Sequence, residues 1–305
     1  MNKNKLKNIA GLTLVEMMIG VIITTIIMAA MYTTYSVVNK TYSQVTDRAK
    51  ISRSGRDIIE MLMRDVRMSG FTYFLGISEL TDENGNKYPT ETYLEFIGGN
   101  VAPDVSHDPL IIIKNELDYL KVAPGTATSQ HNINDMCCDK LHIVFDDYDQ
   151  HDDTQPYRRF KVTYYAKAIT DGADQRYAVY KTKESWKQPL TSSSGSWVTD
   201  CRECYVEQLI RDHIVDMEFI PFDQEGRVLL NSNSAGDKMD VMNLYKIRSV
   251  DIRLTFRSHK EFYRTDAGAA RPRTVKGLGD RSRDYQDKFL RDSVVVTVHT
   301  RNIGT

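Results

Sequence analysis

From Met17 to Asn39 the chain carries no charge, and Ile, Met, Val, Ala and Thr fill most positions. As a helix, about twenty such residues span a bilayer core of about 30 Å. Further on, Val45, Ala49, Ile58, Ile59, Leu62 and Val66 recur mostly at three- or four-residue steps. Arg56, Asp57, Glu60, Arg64 and Asp65 largely occupy the other side, with Glu60 four residues before Arg64, the favourable order for a helical ion pair. No proline falls between Met17 and Met68, and Gly70 after Met68-Ser69 is a natural helix stop. The pattern predicts one helix of about 55 residues, roughly 80 Å long. Its first half is apolar all round and its second half is amphipathic.

After Gly70 the period changes from helical to alternating. Val250, Ile252, Leu254 and Phe256 fall on one face of a strand over Ile247–Phe256, with Asp251, Arg253 and Thr255 on the other. Val294, Val296 and Val298 repeat this in a closing strand over Val294–Asn302, against Val295, Thr297 and His299. Further strands are expected at Leu110–Ile113, Leu141–Phe145, Phe160–Tyr165, Tyr177–Tyr180 and Ile214–Phe219, with turns at Asp171-Gly172 and Asp223–Gly226. A long helix followed by a run of strands makes the fold class α+β, with the helix packed on an antiparallel sheet.

Composition sharpens this only in part. The 305 residues include 40 basic and 41 acidic ones, for a formal charge of −1, which argues against a general polyanion binder. A mean hydropathy of −0.43 excludes a polytopic membrane protein. The lipid-compatible sequence is concentrated at the N-terminus, where Lys3, Lys5 and Lys7 precede it without an acid. Basic residues before a span predict a cytoplasmic N-terminus and an exported remainder. A cleaved secretory signal fits poorly, because the apolar run is long and Ala29-Ala30-Met31 is not its cleavage site. A plain anchor leaves Glu16 unexplained, since an ionisable residue at the edge of a span suggests a partner. Thr13-Leu14-Val15-Glu16 also reads as a T-x-x-E capping box that opens the helix.

Gly11-Leu12-Thr13-Leu14-Val15-Glu16, after a short Lys-rich leader and before an apolar helix, closely resembles the type IV prepilin motif. The resemblance implies cleavage after Gly11 by the prepilin peptidase and N-methylation of Leu12, where family members more often have Phe. Glu16 becomes the fifth mature residue, where the family carries its glutamate. A carboxylate held in hydrocarbon needs a compensating charge, and the cleaved amine of a neighbouring subunit would supply it. A second string, Gly55-Arg56-Asp57-Ile58-Ile59-Glu60-Met61-Leu62-Met63-Arg64-Asp65-Val66-Arg67-Met68-Ser69-Gly70-Phe71, resembles the block before the head of PilW-type minor pilins and of pseudopilin J of type II secretion. The closing Thr300-Arg301-Asn302 also resembles the end of PilW-type chains.

The resemblance implies a leader over 1–11, a helix over 12–69 and a head over 70–305. The helix divides into a transmembrane half, 12–38, and an amphipathic half, 39–69. It further implies a minor pilin of a bacterial type IV pilus, held first in the inner membrane with its head in the periplasm and then incorporated near the filament tip to prime assembly. Its partners would be other minor pilins, the major pilin, the prepilin peptidase and the inner-membrane assembly platform. The alternative in the class is a J-type pseudopilin.

Four cysteines stand as Cys137-Cys138 and Cys201-Arg202-Glu203-Cys204. Zinc is conceivable, with His131 or His142 as further ligands, but an adjacent pair suits tetrahedral chelation poorly. In an exported head disulfides are favoured. The expectation is two cross-links between the 137/138 region and the 201/204 turn. Asp146, Asp147, Asp149, Asp152 and Asp153 crowd one segment with His151, and Asp147, Asp149 and Asp152 are Ca²⁺ candidates. The EF-hand spacing fails, with Arg158 where the terminal Glu belongs, so a solvated turn is the simpler reading and no cofactor is expected. The basic stretch Arg257–Arg291 would attract DNA phosphates, but reads more simply as a solvated loop. No G-x-S-x-G, G-x-x-x-x-G-K-[ST] or H-E-x-x-H is present, and the histidines, including His107, His213 and His259, stand apart in sequence. No catalytic activity is expected, although a membrane-tethered enzyme and an adhesin or DNA receptor are the readings from other classes.

Overall fold

The computed structural model describes residues 13–71, 108–113, 137–148, 157–171, 174–187, 195–229, 244–261, 273–278, 282–285 and 288–303. The helix α1 runs from Leu14 to Met68, 55 residues without a break. The chain divides into two compact units, Met1–Ala49 and Lys50–Thr305, and α1 belongs to both.

In the first unit every described residue from Thr13 to Tyr35 is exposed. The helix is long and apolar enough to cross a membrane. Its threonines do not disturb that character. Thr24 donates to the Gly20 carbonyl, Thr25 to Ile22, Thr33 and Thr34 to Ala30, and Thr41 to Val37. Each hydroxyl is thus satisfied within its own turn and asks nothing of the surroundings.

The second unit is the amphipathic part of α1 with an antiparallel sheet. Its strands are β1 (Leu110–Ile113), β2 (Lys140–Tyr148), β3 (Tyr157–Asp171), β4 (Asp174–Lys187), β5 (Ser196–Val198), β6 (Tyr205–Phe222), β7 (Ser249–Glu261), β8 (Arg273–Lys276), β9 (Ser282–Tyr285) and β10 (Phe289–His299). Eight of them form one sheet in the order β1-β2-β3-β4-β6-β7-β10, with β5 also on β4, while β8 and β9 pair separately. Consecutive long strands neighbour each other from β1 to β4 and again from β6 to β7, so local pairing accounts for most of the order.

Alternation decides which face meets α1. Val250, Ile252, Leu254 and Phe256 of β7 and Met217 and Phe219 of β6 are buried in one core with Ile51, Ile58, Ile59, Leu62 and Val66 of α1. Burying each such side chain contributes about 1.5–3 kcal/mol. The close approach is made at Gly55, where an added Cβ would lie 2.9 Å from the Phe256 ring. The opposite face of β6–β7 is polar but covered. Arg253 donates to the Gly277 carbonyl at 2.8 Å, and the Leu278 amide donates to Glu218 at 2.6 Å.

Two expectations change here. The stretch Arg257–Arg291 is not one solvated loop: β7 continues to Glu261, and β8, β9 and the start of β10 lie within it. Arg257 is buried with its guanidinium over the Phe289 ring, because a long Arg stem and a flat head pack on an aromatic as readily as they face water. The closing strand ends at His299 and not at Asn302: the Thr300 amide still donates to the Arg248 carbonyl, in register with the His299–Ser249 pair, and the chain bends from Arg301.

Candidate functional site

Gly11 and Leu12 lie outside the described residues. Thr13 and Glu16 form the capping box at the start of α1. The Thr13 amide and hydroxyl both donate to Glu16 Oε2, at 2.8 and 2.9 Å, and the Glu16 amide donates back to Thr13 Oγ1 at 3.3 Å. Two donors that helix geometry would leave unpaired are therefore satisfied reciprocally. Within the single chain the Glu16 carboxylate has a local role, and it remains exposed.

The far end of α1 is a joint. Asp65, on the sheet-facing side of the helix, is buried and accepts from the Tyr164 hydroxyl at 2.6 Å and from Lys181 Nζ at 2.6 Å. Tyr164 and Lys181 face each other across β3 and β4, and the Lys181 ammonium also sits over the Tyr164 ring. Burial lowers the proton affinity of Lys181, opposed by Asp65. Burial and the Asp65 charge hold the Tyr164 hydroxyl well above its usual range, and Tyr205 nearby is pushed up to about 12 for the same reasons.

Gly70 closes the helix with φ +75°, the left-handed conformation glycine adopts at a helix stop. Its amide donates to the Val144 carbonyl at 2.9 Å, and the Asp146 amide donates to the Phe71 carbonyl at 2.8 Å. The end of the chain meets this stop: Asn302 donates its side-chain amide to the Arg67 carbonyl at 3.3 Å, and Ile303 packs against Gly70. Arg248 holds that end by donating to the Ile303 carbonyl at 3.3 Å.

The long string Gly55–Phe71 thus separates into two classes of residue. Gly55, Leu62, Asp65 and Gly70 are buried in the joint, whereas Arg56, Glu60, Arg64 and Arg67 are exposed. The closing Asn302, far away in sequence, caps the helix that the string forms.

The model of the prokaryotic N-terminal methylation motif matches residues 6–32. The chain carries that motif. Its matched residues contain the Gly11–Glu16 string, the capping box and the first part of the exposed apolar helix. No curated protein sequence matches the chain. Among solved structures, a type IV-like pilin from Thermus thermophilus aligns over 84% of this chain and 97% of its own, at 10% identity and a TM-score of 0.37.

The cysteines correct the expected pairing. The disulfides are Cys137–Cys138 and Cys201–Cys204, each local, and no cross-link joins the two groups. The Cys137 amide donates to Asp216 of β6, while Cys201–Cys204 is the turn just before Tyr205, where β6 begins. At about 3.3 Å per residue those places are about 35 Å apart along the strand. The turn itself, with the Cys204 amide donating to the Cys201 carbonyl, brings its two Cα atoms to 5.0 Å, within disulfide reach.

Of the acidic cluster, Asp146 is committed elsewhere: buried Arg159 pairs with it through two bonds, at 2.7 and 3.2 Å. Asp147 accepts from the Tyr148 amide at 2.8 Å, and Asp149, His151, Asp152 and Asp153 lie outside the described residues. His142 is buried on β2 with its Nδ1 2.9 Å from Thr163 Oγ1, and His107 and His131 are outside the described residues. His213 and His259, far apart in sequence, are brought side by side. That juxtaposition and the Lys181 partner of Asp65 were beyond sequence reasoning. The one signal for Lys181 was a lysine interrupting the apolar alternation Tyr177, Val179 on the face toward α1.

Proposed function

We propose that the chain is a minor pilin of a bacterial type IV pilus, of the PilW type, and that its role is assembly and not catalysis. The single observation that carries this reading is the N-terminal methylation motif over residues 6–32, opening a helix whose described residues are exposed and apolar. The leader is removed after Gly11, Leu12 is methylated, and residues 12–38 first hold the protein in the inner membrane and then enter the filament core. The head faces the periplasm until the subunit is incorporated near the tip, beside other minor pilins and above the major pilin. Retention of Glu16 fits a place just below another subunit, because its carboxylate then has a neighbouring N-terminal amine to meet.

The joint supports this reading by a mechanical argument. A subunit drawn out of a membrane by its helix must carry its head with it. Asp65, Lys181, Tyr164, Gly70 and Asn302 tie the last turns of α1 to the sheet by directional bonds as well as by apolar packing.

Mass spectrometry of the mature N-terminus is the deciding experiment. The expected result is a chain starting at a methylated Leu12, and an intact Met1 start would overturn the proposal. Deletion of the gene should then abolish surface piliation while leaving protein secretion intact. The opposite pattern would place the chain among J-type pseudopilins.

A further inference from the structure

His213 of β6 and His259 of β7 are partners on the face of the sheet away from the α1 core. The Nδ1 of His259 lies 2.8 Å from the Nε2 of His213, with ring centroids 4.3 Å apart. His213 is 8% exposed, whereas His259 is open to solvent. The backbone is shaped for this meeting. His213 has φ +62°, and the register of β6 shifts against β4 between Arg211 and Ile214 and against β7 between Ile214 and Asp216. A bulge of this kind re-aims a side chain that regular pleating would send elsewhere.

The second ring nitrogen of His213 is also accounted for. Its Nδ1 lies 3.4 Å from Asp212 Oδ2. Asp212 is held in turn by Arg176, whose Nε donates to both carboxylate oxygens at 3.1 Å, and by the His213 amide at 2.6 Å. A carboxylate beside Nδ1 favours the proton on that nitrogen, which turns the Nε2 lone pair toward His259, a relation also found in metal-bound imidazoles. Burial, with His259, Arg257 and Arg176 and against the pull of Asp212, pushes His213 down to about 4.

We propose that His213 and His259 form a two-imidazole site for a borderline divalent transition metal such as Zn²⁺, Ni²⁺ or Cu²⁺. The metal takes the place of the proton between Nε2 of His213 and Nδ1 of His259, and that proton moves to the other ring nitrogen of His259, Nε2, so that both imidazoles ligate in their neutral form. Tetrahedral bonds of about 2.0–2.1 Å set the two nitrogens about 3.3 Å apart, so the rings must part by about half an ångström and tilt until both lone pairs converge on the metal. The exposed His259 ring has room to make that movement. Two imidazoles leave positions open on such an ion, which water would fill. Hard cations such as Ca²⁺ are not expected here, because they take oxygen ligands.

The test uses the untagged full chain in detergent, stripped of metal by a chelator, and titrates Zn²⁺ and then Cu²⁺. The expected result is one saturable ion per chain, a raised melting midpoint, and a Cu²⁺ electron paramagnetic resonance spectrum showing coupling to two imidazole nitrogens. His259→Gln, at an exposed position, should weaken binding about tenfold or more while leaving the circular dichroism spectrum unchanged. Asp212→Asn, which alters only the positioning carboxylate, should weaken it about tenfold. Absence of saturable binding, or undiminished binding in His259→Gln, would overturn the site.

Discussion

Single residues divide the work of α1 between its two ends. At Glu16 the local role and the proposed one separate cleanly, because Gln can accept the same capping bonds but carries no charge. Glu16→Gln is therefore expected to keep the helix content of the purified chain while reducing its incorporation into filaments about tenfold or more. Helix content is read by circular dichroism and incorporation by immunoblotting of sheared pili. Asp65 presents the opposite case, since its charge is needed inside the molecule. Asp65→Ala leaves the Lys181 ammonium buried without its carboxylate and is expected to cost about 3 kcal/mol in denaturant unfolding. The double change Asp65→Leu with Lys181→Met should cost much less, because it removes both desolvated charges together. Gly70→Ala adds a Cβ 2.9 Å from Ile303 at a left-handed φ and is expected to destabilise by about 1–2 kcal/mol.

Elements respond to solution conditions through the groups they share. The joint, the sheet and the turn before β7 hold tyrosines that resist ionisation: Tyr164 stays well above its usual value, and Tyr165, Tyr205 and Tyr245 are each pushed up to about 12, chiefly by burial. Between the ordinary tyrosine value of 10 and those raised values, the unfolded chain loses protons that the folded chain keeps. The folded state then binds more protons than the unfolded one, so stability falls as pH rises through that window. Equilibrium unfolding at pH 7 and at pH 11 should show this loss, and Tyr164→Phe should lessen it. The two disulfides act on short pieces, with partners one and three residues apart. Cys201→Ser with Cys204→Ser is expected to cost no more than about 2 kcal/mol, measured by thermal unfolding, because little loop entropy is removed. A long-range cross-link would have cost considerably more to lose.

At the scale of the whole molecule, a helix segment apolar and long enough to cross a membrane belongs to the same unbroken helix whose later turns pack on the sheet. Sequence by itself determined the helix from its apolar run to its glycine stop, the inward faces of β7 and β10, the α+β class and the prepilin string. These are properties of near neighbours in the chain: the 3.6 and 2.0 periods, a proline-free run and a cap need no distant partner to be visible. Only the tertiary structure decided that Asp65, which the sequence pattern groups with the polar side of α1, turns inward to Lys181, and that Asn302 caps the helix ending near Arg67. It also decided that each cysteine group closes on itself and that His213 meets His259. Those outcomes depend on strand order and on the bulges of β6, which set how residues far apart in the chain are spaced. Burial then makes the choice of partner matter, because a charge or imidazole removed from water must find one through the fold.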